Sequence, residues 1–536
     1  MFAAIDVQSP FDYMFPQLAN DPSCRLPDGT PGEVSEVRKN LEELGRMMAR
    51  QGADKGNSKT VPAGYTYWGQ FIDHDITASS LKGSAGIDII DQFNPLSPDQ
   101  VVAKLFNLRR PALDLDSVFG DGPNGEALPF YEDDGIRLRI GQNVIVRAGN
   151  QVLGEIPPDG QSGPGSPGTD LRRDLPRNEM GVPQIPDRRN DENLIVAQLH
   201  VGFIRFYNAV VDNLAAEPRK LTGAALLNEA MRLTRWHYQW LVVNDYLMTV
   251  AQHSVVRDIL TNHGRFFRRS DHDPFSDLFM PIEFSVAAFR FGHSMVRSRY
   301  DFNRNFGRPS SLLKSSAPLE DLFSFTGKGR GAVPNLPHHW IIEWDRFFNK
   351  QDNDGNHMAR KFDTWLELPL SQMENETTDK PNLTEVQKSI MEHLAKRNLL
   401  RGYLFSLPTG QCVAEAMGET KLTSQQLSGA GADLNALLER AGFLERTPLW
   451  YYLLKEAELT KDLDAEPAKQ ACGNKLGPIG SRIVAETIIG LIRSDSSSYL
   501  NQASGFDPAS GDAIKFGNGR PITTITDLLR FAGVAV

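Results

Sequence analysis

The sequence lacks the features that mark several large classes of protein. No run of about 18 or more apolar residues occurs, so no membrane-spanning helix is expected. The first residues show no basic start followed by a long apolar stretch, so no secretory signal is expected. The location is left undetermined, and this absence is compatible with the cytoplasm or with export by a non-standard route. No internal repeat with a period of about 20 to 50 residues is found.

Cysteine is scarce, and the three that occur are Cys24, Cys412 and Cys472. The odd number and the wide spacing match neither a disulfide framework nor a zinc pattern. Reducing surroundings are the simplest expectation. One disulfide with one free thiol is the alternative.

Positive charge is also in short supply, since the net charge is −10. Nucleic acids and membrane surfaces are anionic, so neither is expected as a general partner. Hydrophobic residues make up 40% and charged residues 23% of the chain, as in ordinary soluble globular proteins. A chain of 536 residues can bury a large core and hold a cofactor inside it.

The apolar pattern predicts a mostly α-helical protein with few short strands. Apolar residues recur at helical spacing in 194–214, 225–251, 385–402, 434–442, 449–458 and 480–493. The clearest strand signal, in 136–153, predicts a small hairpin. Long loops rich in Gly and Pro cover 154–188, 300–336 and 502–522. We expect a catalytic domain over 60–500, wrapped by an N-terminal extension over 1–59, with a C-terminal segment over 501–536 packed on it.

The segment Gln70-Phe-Ile-Asp73-His74-Asp75 carries the first candidate site. On a helix, Gln70 and His74 share a face, Asp73 borders that face, and Asp75 is turned about 100° onward. One turn could thus present an imidazole and an amide to a cavity while Asp75 contacts something else. A surface or metal-binding turn is the alternative.

Three further segments place chemically active side chains at helical spacing. In Arg189-Asn-Asp-Glu192 the arginine could stabilise a developing negative charge, or could form a plain surface pair with Glu192. His293, in Phe-Arg290-Phe-Gly-His293, has a glycine neighbour that would let a flat ligand approach, although a buried core histidine would look the same. Asn398, three residues before Arg401, could orient an imidazole or form the polar edge of an amphipathic helix.

Taken together and in this order, the four segments resemble the animal haem peroxidase family. Asp73-His74-Asp75 preceded by Gln70 is similar to the distal segment of that family, and the three other segments are similar to its distal arginine, proximal histidine and proximal asparagine motifs. A fifth match, Leu113-Asp-Leu-Asp-Ser-Val-Phe-Gly120, resembles its calcium loop. The resemblance covers about residues 60 to 500, and its style is closer to that of the bacterial members.

The resemblance implies a helical fold with haem b buried between central helices, and it implies a role for each motif residue. His74 would take the proton of hydrogen peroxide, Arg189 would stabilise the departing oxygen, and Gln70 would order water or a small anion. His293 would bind the iron, and Asn398 would accept its second ring N–H. Arg290 and Arg401 would pair with the haem propionates. A small donor (halide, thiocyanate or phenol) would then be oxidised through a ferryl intermediate, as in a response to oxidative stress.

Two covalent links and a calcium ion are also implied by the resemblance. Asp73 and Glu192 stand where the family forms ester bonds to haem methyl groups. Asn193 stands where myeloperoxidase has the methionine of a third link, which argues against strong chloride oxidation. The calcium ligands would be the carboxylates of Asp75, Asp114 and Asp116 and the backbone carbonyls of Arg110 and Ala112.

Two other functions remain open on the sequence. Fatty-acid dioxygenases and cyclooxygenases of the same superfamily carry a tyrosine three residues before the proximal histidine, where this chain has Arg290. An adhesion or binding protein could keep the fold without turnover, but a loss of His74 or Arg189 would then be expected. The identity of the donor and the oligomeric state are left undetermined.

Overall fold

Helices supply most of the framework in the computed structural model. The structure describes residues 9–49, 56–81, 94–162, 166–267, 279–307, 312–313, 315–327, 335–349, 358–377, 380, 382–429, 431–503 and 505–535. The α-helices of five or more residues are Pro31–Met48, Gly64–Ile76, Pro98–Lys104, Leu194–Ala215, Gly223–Leu241, His253–Asn262, Ile282–Val286, Glu385–Met391, Leu394–Leu404, Gly410–Met417, Ala432–Arg440, Leu449–Leu459, Pro478–Ser494 and Ile525–Phe531. The expectation of a mostly helical fold is confirmed.

Shorter helical turns connect these helices. The short α-helices are Pro16–Ala19, Asp116–Phe119, Met248–Val250, Asp345–Phe348 and Ser424–Leu427, and Val242–Leu247 forms a π-helical turn. The 3₁₀ helices are Pro22–Cys24, Gly125–Phe130, Arg188–Asp191, Ala288–Met295, Leu319–Phe323, His338–Trp340, Leu368–Ser371, Glu374–Glu376, Pro467–Lys469 and Tyr499–Asn501.

The strands are short and lie at the edge of the helical core. They are Ser9–Asp12, Asn57–Pro62, Ser79–Leu81, Leu105–Asn107, Arg147–Ala148, Gln151–Val152, Met280–Pro281, Arg299–Tyr300, Ala317–Pro318 and Met358–Arg360. The largest sheet has the order Ser79–Leu81, Leu105–Asn107, Ser9–Asp12, Met280–Pro281. Its first three strands are antiparallel, in a register that places Asn107 opposite both Ser79 and Ser9. This sheet therefore ties the chain just beyond the Gly64–Ile76 helix to the start of the described chain.

Only the second half of the hairpin predicted over 136–153 forms. Arg147–Ala148 pairs with Gln151–Val152 as a small hairpin. Before it, Leu138, Gly141 and Val144 each bridge to a different segment, at Tyr131, Asp174 and Pro337 respectively. The alternation of this stretch thus reflects pairing with three partners that sequence periodicity cannot identify.

The core centres on the Gly64–Ile76 helix, which packs against the Leu194–Ala215 helix and the Ala288–Met295 turn. Phe71 stacks on Phe203 with ring centroids 4.6 Å apart, and Trp68 is fully buried beside Tyr246. Among the described residues, Leu194–Ala215 is long and apolar enough to cross a membrane by length and composition alone, but its apolar window is 83% buried in the structure. A helix in the core of a globular protein has the same properties.

A disulfide joins Cys24 to Cys412, which are 388 residues apart, while Cys472 is free and exposed. The structure therefore has the alternative arrangement, one disulfide with one free thiol, and does not support the simpler expectation of reducing surroundings. The sequence could not reveal this pair, because the fold brings the 3₁₀ turn at Pro22–Cys24 beside the Gly410–Met417 helix. Such bonds persist in oxidising compartments.

Thiol counting tests the disulfide. The denatured protein should release one thiol without reductant and three after reduction. Because the bond closes a very long loop, replacing both Cys24 and Cys412 by serine should lower the free energy of unfolding by about 2–4 kcal/mol. Cys472→Ser is the control and should change it by less than about 0.5 kcal/mol. Three thiols in the unreduced protein would contradict the pairing.

Candidate functional site

One cavity, with a volume of about 230 Å³, collects eight of the nine residues predicted to be catalytic or to bind haem. Its lining includes Gln70, Asp73, His74, Glu192, Arg290, His293, Asn398 and Arg401. Three separate parts of the core meet here. His74 lies on the Gly64–Ile76 helix, His293 on the Ala288–Met295 turn and Asn398 on the Leu394–Leu404 helix. Arg189 is the exception, since it does not belong to this lining.

His74 is held in one orientation by a hydrogen bond behind it. Its Nδ1 lies 2.9 Å from Oδ1 of Asn190, and with the amide in this orientation Nδ1 would carry the proton and donate it to this oxygen. The other ring nitrogen, Nε2, lies 3.9 Å from a carboxylate oxygen of Glu192, which also lines the cavity. Burial, aided by the charge of Arg189, lowers the pKa of His74 below its usual value. The ring is therefore a neutral base at neutral pH.

Gln70 and Glu192 form a hydrogen-bonded group beside His74. Gln70 Nε2 donates to Glu192 Oε2 at 3.2 Å, and Asn193 Nδ2 donates to Gln70 Oε1 at 2.9 Å. The Asn193 side chain also caps the Leu194–Ala215 helix by accepting from the backbone N–H of Val196 at 3.1 Å. The start of this helix thus fixes the polar wall of the cavity.

Arg189 lies behind the His74 helix. It belongs to the Arg188–Asp191 turn, which precedes the long helix that begins after Asn193. Its guanidinium donates to the carboxylate of Asp187 and to the backbone carbonyls of His74 and Thr77, at 2.8 and 2.6 Å. In these contacts Arg189 caps the C-terminal end of the His74 helix, where a cation is favoured.

His293 also has one ring nitrogen held by an asparagine. The Asn398 side-chain amide lies 2.7 Å from Nδ1, with its Nδ2 atom toward the ring. A half-turn of the amide would place Oδ1 there instead and would keep the same distance. Burial, with the charges of Arg290 and Arg397, lowers the pKa of His293 to about 3, so this imidazole is neutral as well.

Arginines outnumber carboxylates on the His293 side of the cavity. Arg290 lies 3.5 Å from Asp73, and Arg397 lies 3.3 Å from Glu376. Arg401 donates to Ser79 Oγ at 2.7 Å, but its buried Nε has no hydrogen-bond partner in the described part of the chain. Burial and the neighbouring Arg290 lower the pKa of Arg401 to about 9. This uncompensated charge suits a ligand with carboxylate groups.

Asp73 is a carboxylate that stays ionised at the cavity wall. Although burial alone would raise its pKa, Arg290, His74 and the Thr77 hydroxyl, which donates at 2.7 Å, together lower it. Asp73 therefore supplies a fixed negative charge between the two histidines.

Asp75, Asp114 and Asp116 meet on the far side of the His74 helix, with carboxylate oxygens within 4.8 Å of one another. Burial, followed by the repulsion of Asp114, raises the pKa of Asp75 to about 6. Arg109 and Arg110 pair with Asp116 and Asp114 at 2.5 and 2.8 Å. The carbonyl of Arg110 accepts from the N–H of Ala112 at 2.9 Å, so this predicted ligand atom is engaged within its own loop. The donor set remains one of hard oxygens, which suits Ca²⁺.

Sequence reasoning missed two residues of the site, Asn190 and His200. Asn190 connects His74 to a second imidazole, since its Nδ2 lies 2.9 Å from Nδ1 of His200. Asn190 directly follows Arg189, so the motif contained it, but only the folded chain shows which group its amide meets.

A family model and a curated relative each match part of the chain. The animal haem peroxidase model matches residues 149–328. A peroxidase-like protein from Margaritifera margaritifera is 26% identical over 313 residues, which are 54% of this chain and 38% of that protein. The chain thus matches little more than a third of the length of this curated relative.

Solved structures show the same fold. Peroxidase A from Dictyostelium discoideum has a TM-score of 0.58 at 14% identity, over 96% of this chain and 95% of that one. A fatty acid alpha-dioxygenase of Arabidopsis thaliana has a TM-score of 0.55 at 14% identity, over 88% of this chain and 72% of that one. At such identities the likeness concerns the fold alone.

The acidic cluster predicts a pH-dependent response to calcium. Because the folded-state pKa of Asp75 is raised to about 6, this carboxylate destabilises the calcium-free protein increasingly as the pH rises from about 4 to above 6. Calcium requires the ionised form. Adding CaCl₂ should therefore raise the melting temperature more at pH 7.5 than at pH 5.

Differential scanning calorimetry at the two pH values, with and without chelator, measures this response. Asp114→Asn should abolish it, whereas Asp134→Asn, in an exposed turn, should not. An equal shift at both pH values, or no shift, would contradict a calcium site built on these carboxylates.

Proposed function

We propose that this chain, a member of the animal haem peroxidase family, is a haem-dependent peroxidase that uses hydrogen peroxide to oxidise a small donor. One observation carries the proposal: two neutral imidazoles, each held at Nδ1 by an asparagine, line one cavity that also carries three arginines, and the buried Nε of one of them, Arg401, has no hydrogen-bond partner in the described chain. A neutral imidazole can bind iron or accept a proton, and the arginines can bind carboxylates. These are the properties that a haem site requires.

The residues present fit haem b. His293 would bind the iron through Nε2, which requires Nδ1–H to donate to Asn398 and therefore selects the amide orientation with Oδ1 toward the ring. Arg290 and Arg401 would pair with the propionates, so that Arg401 gains the anionic partner it lacks within the described chain. When bound, the haem supplies the redox chemistry with peroxide.

His74 moves the proton in the proposed reaction. With Nδ1–H donated to Asn190, Nε2 is free to accept the proton of peroxide and then to return it to the leaving oxygen. Gln70, held by Glu192 and Asn193, would orient peroxide or water beside this nitrogen. Arg189 would act through its charge, which keeps His74 neutral, and through its capping of the His74 helix.

For the donor we propose a halide other than chloride, thiocyanate or a phenol. Asn193 has no sulfur to form a third haem link, and its amide is already used by Gln70 and by the cap of the following helix. A steady-state screen of iodide, bromide, thiocyanate and a phenol with peroxide would identify the donor class.

A fatty-acid dioxygenase is the second candidate, because the fold is also shared with fatty acid alpha-dioxygenases. Arg290, and not a tyrosine, stands three residues before His293, and its Nε donates to the carbonyl of Ser285 at 2.8 Å. No radical can form on such a side chain at that position. Oxygen uptake with a polyunsaturated fatty acid, without added peroxide, would favour the dioxygenase instead.

We also propose that Ca²⁺ binds Asp75, Asp114 and Asp116. The ion would join the His74 helix to the Asp116–Phe119 turn, and it would offset the repulsion that raises the pKa of Asp75. Since Asp75 follows His74 directly, the ion would help to fix the direction of the catalytic ring.

Two alanine substitutions separate the roles of the histidines. His74→Ala should keep the Soret band but slow the reaction with peroxide by about 10²–10⁴-fold, because the proton acceptor is lost. His293→Ala should weaken haem binding itself. Haem titration and stopped-flow absorbance measure the two effects. A wild-type peroxide rate in His74→Ala would refute the role of His74.

Acid–acetone extraction tests the ester links at Asp73 and Glu192. If they form, haem should stay with the denatured protein after turnover with peroxide, and Asp73→Asn together with Glu192→Gln should release it. Complete extraction from the wild-type protein would rule the links out. The single variants show which carboxylate contributes.

A further inference from the structure

His74, Asn190 and His200 form a chain of three buried polar side chains. The amide of Asn190 contacts Nδ1 of His74 through Oδ1 and Nδ1 of His200 through Nδ2, each at 2.9 Å. Asn190 and His200 have no exposed surface, and His74 is 5% exposed. His200 lies on the core helix Leu194–Ala215, with its ring against Phe71. Nε2 of His200 has no hydrogen-bond partner in the described part of the chain.

This arrangement allows only two proton distributions. An amide has one accepting and one donating end, so the two imidazoles cannot both donate to it or both accept from it. If Oδ1 faces His74, then His74 is protonated at Nδ1 and His200 at Nε2. If the amide is turned, both tautomers reverse and His74 loses its free Nε2 lone pair. The tautomer of the cavity histidine is thus coupled to that of a histidine in the core.

We propose that Asn190 and His200 are positioning residues that fix His74 as the tautomer with a bare Nε2 toward the cavity. The inference rests on the proposed function for its consequence in peroxide chemistry, but the tautomer itself can be measured without turnover. Burial supports the assignment, because neither Asn190 nor His200 has exposed surface at which bulk water could replace one of these hydrogen bonds. The coupling also explains an imidazole at position 200, because an apolar side chain there would leave the buried Nδ2 of Asn190 without its acceptor.

Nitrogen-15 NMR of the histidine side chains tests the proposal. The full-length, haem-loaded protein is studied in its ferrous carbonmonoxy form, which is diamagnetic, and His74→Gln and His200→Gln assign the signals. We expect His74 to be protonated at Nδ1 and His200 at Nε2. The reverse pair of tautomers, or a mixture at His74, would overturn the proposal.

Substitutions distinguish positioning from mere packing. Asn190→Asp keeps an acceptor for His74 and should preserve its tautomer while switching His200 to Nδ1–H. His200→Gln can still accept from Asn190 and should also preserve it. Asn190→Leu and His200→Phe should give a tautomer mixture at His74 and a rate constant with peroxide about 10-fold lower.

His237→Phe is the matched control, because His237 is equally buried and lies on the neighbouring Gly223–Leu241 helix. It should leave the His74 signals unchanged. If it disturbs them as much as His200→Phe does, or if His200→Phe leaves them unchanged, the relay is refuted.

The two proposals fail in different ways. A purified chain that binds no haem would refute the proposed function, and the tautomers would then be read in the same full-length chain without haem. A chain that reacts rapidly with peroxide but shows the reversed tautomers would keep the proposed function and refute the relay alone.

Discussion

The short Gly64–Ile76 helix is the element on which the rest of the site depends. Successive residues turn by about 100°, so Asp73, His74 and Asp75 point in three directions from a single turn. His74 meets the cavity and Asn190, Asp73 meets Arg290, and Asp75 meets the acidic loop at Asp114. Any rotation of this helix would disturb all three contacts at once, and its C-terminal end is held by Arg189 through two backbone carbonyls.

The charged side chains behind this helix differ in their pairing from those that line the cavity. Asp187 lies between Arg189 and Arg109 and is therefore ionised, with a pKa far below the usual value despite its burial. Asp187, Asp114 and Asp116 behind the helix each pair with an arginine, which offsets the cost of burying their charges. In the cavity, three arginines face three carboxylates, but the buried Nε of Arg401 has no hydrogen-bond partner in the described part of the chain. The hydrogen-bonding capacity that is left unused therefore faces the ligand site.

Patterns that lie within one element were predictable, and those that depend on a distant partner were not. The spacing of Gln70 and His74 indicated a shared helix face, and both residues line the cavity. The resemblance to a family supplied the grouping of His293 with Asn398 and of Asp75 with Asp114, which local spacing cannot provide. The disulfide between Cys24 and Cys412, the capping role of Arg189 and the link from Asn190 to His200 depend on segments brought together only by the fold.

The use of asparagine behind both histidines has a physical consequence. A carboxylate in place of Asn190 or Asn398 would stabilise the charged imidazolium and raise the pKa of the ring. An amide orients the ring without this effect, so that burial and nearby arginines keep the pKa of His74 below its usual value and that of His293 at about 3. Both imidazoles can therefore present a lone pair to the cavity at neutral pH. The positive charge of the site then resides on the arginines alone, where it can bind carboxylates without competing for the proton that His74 must accept.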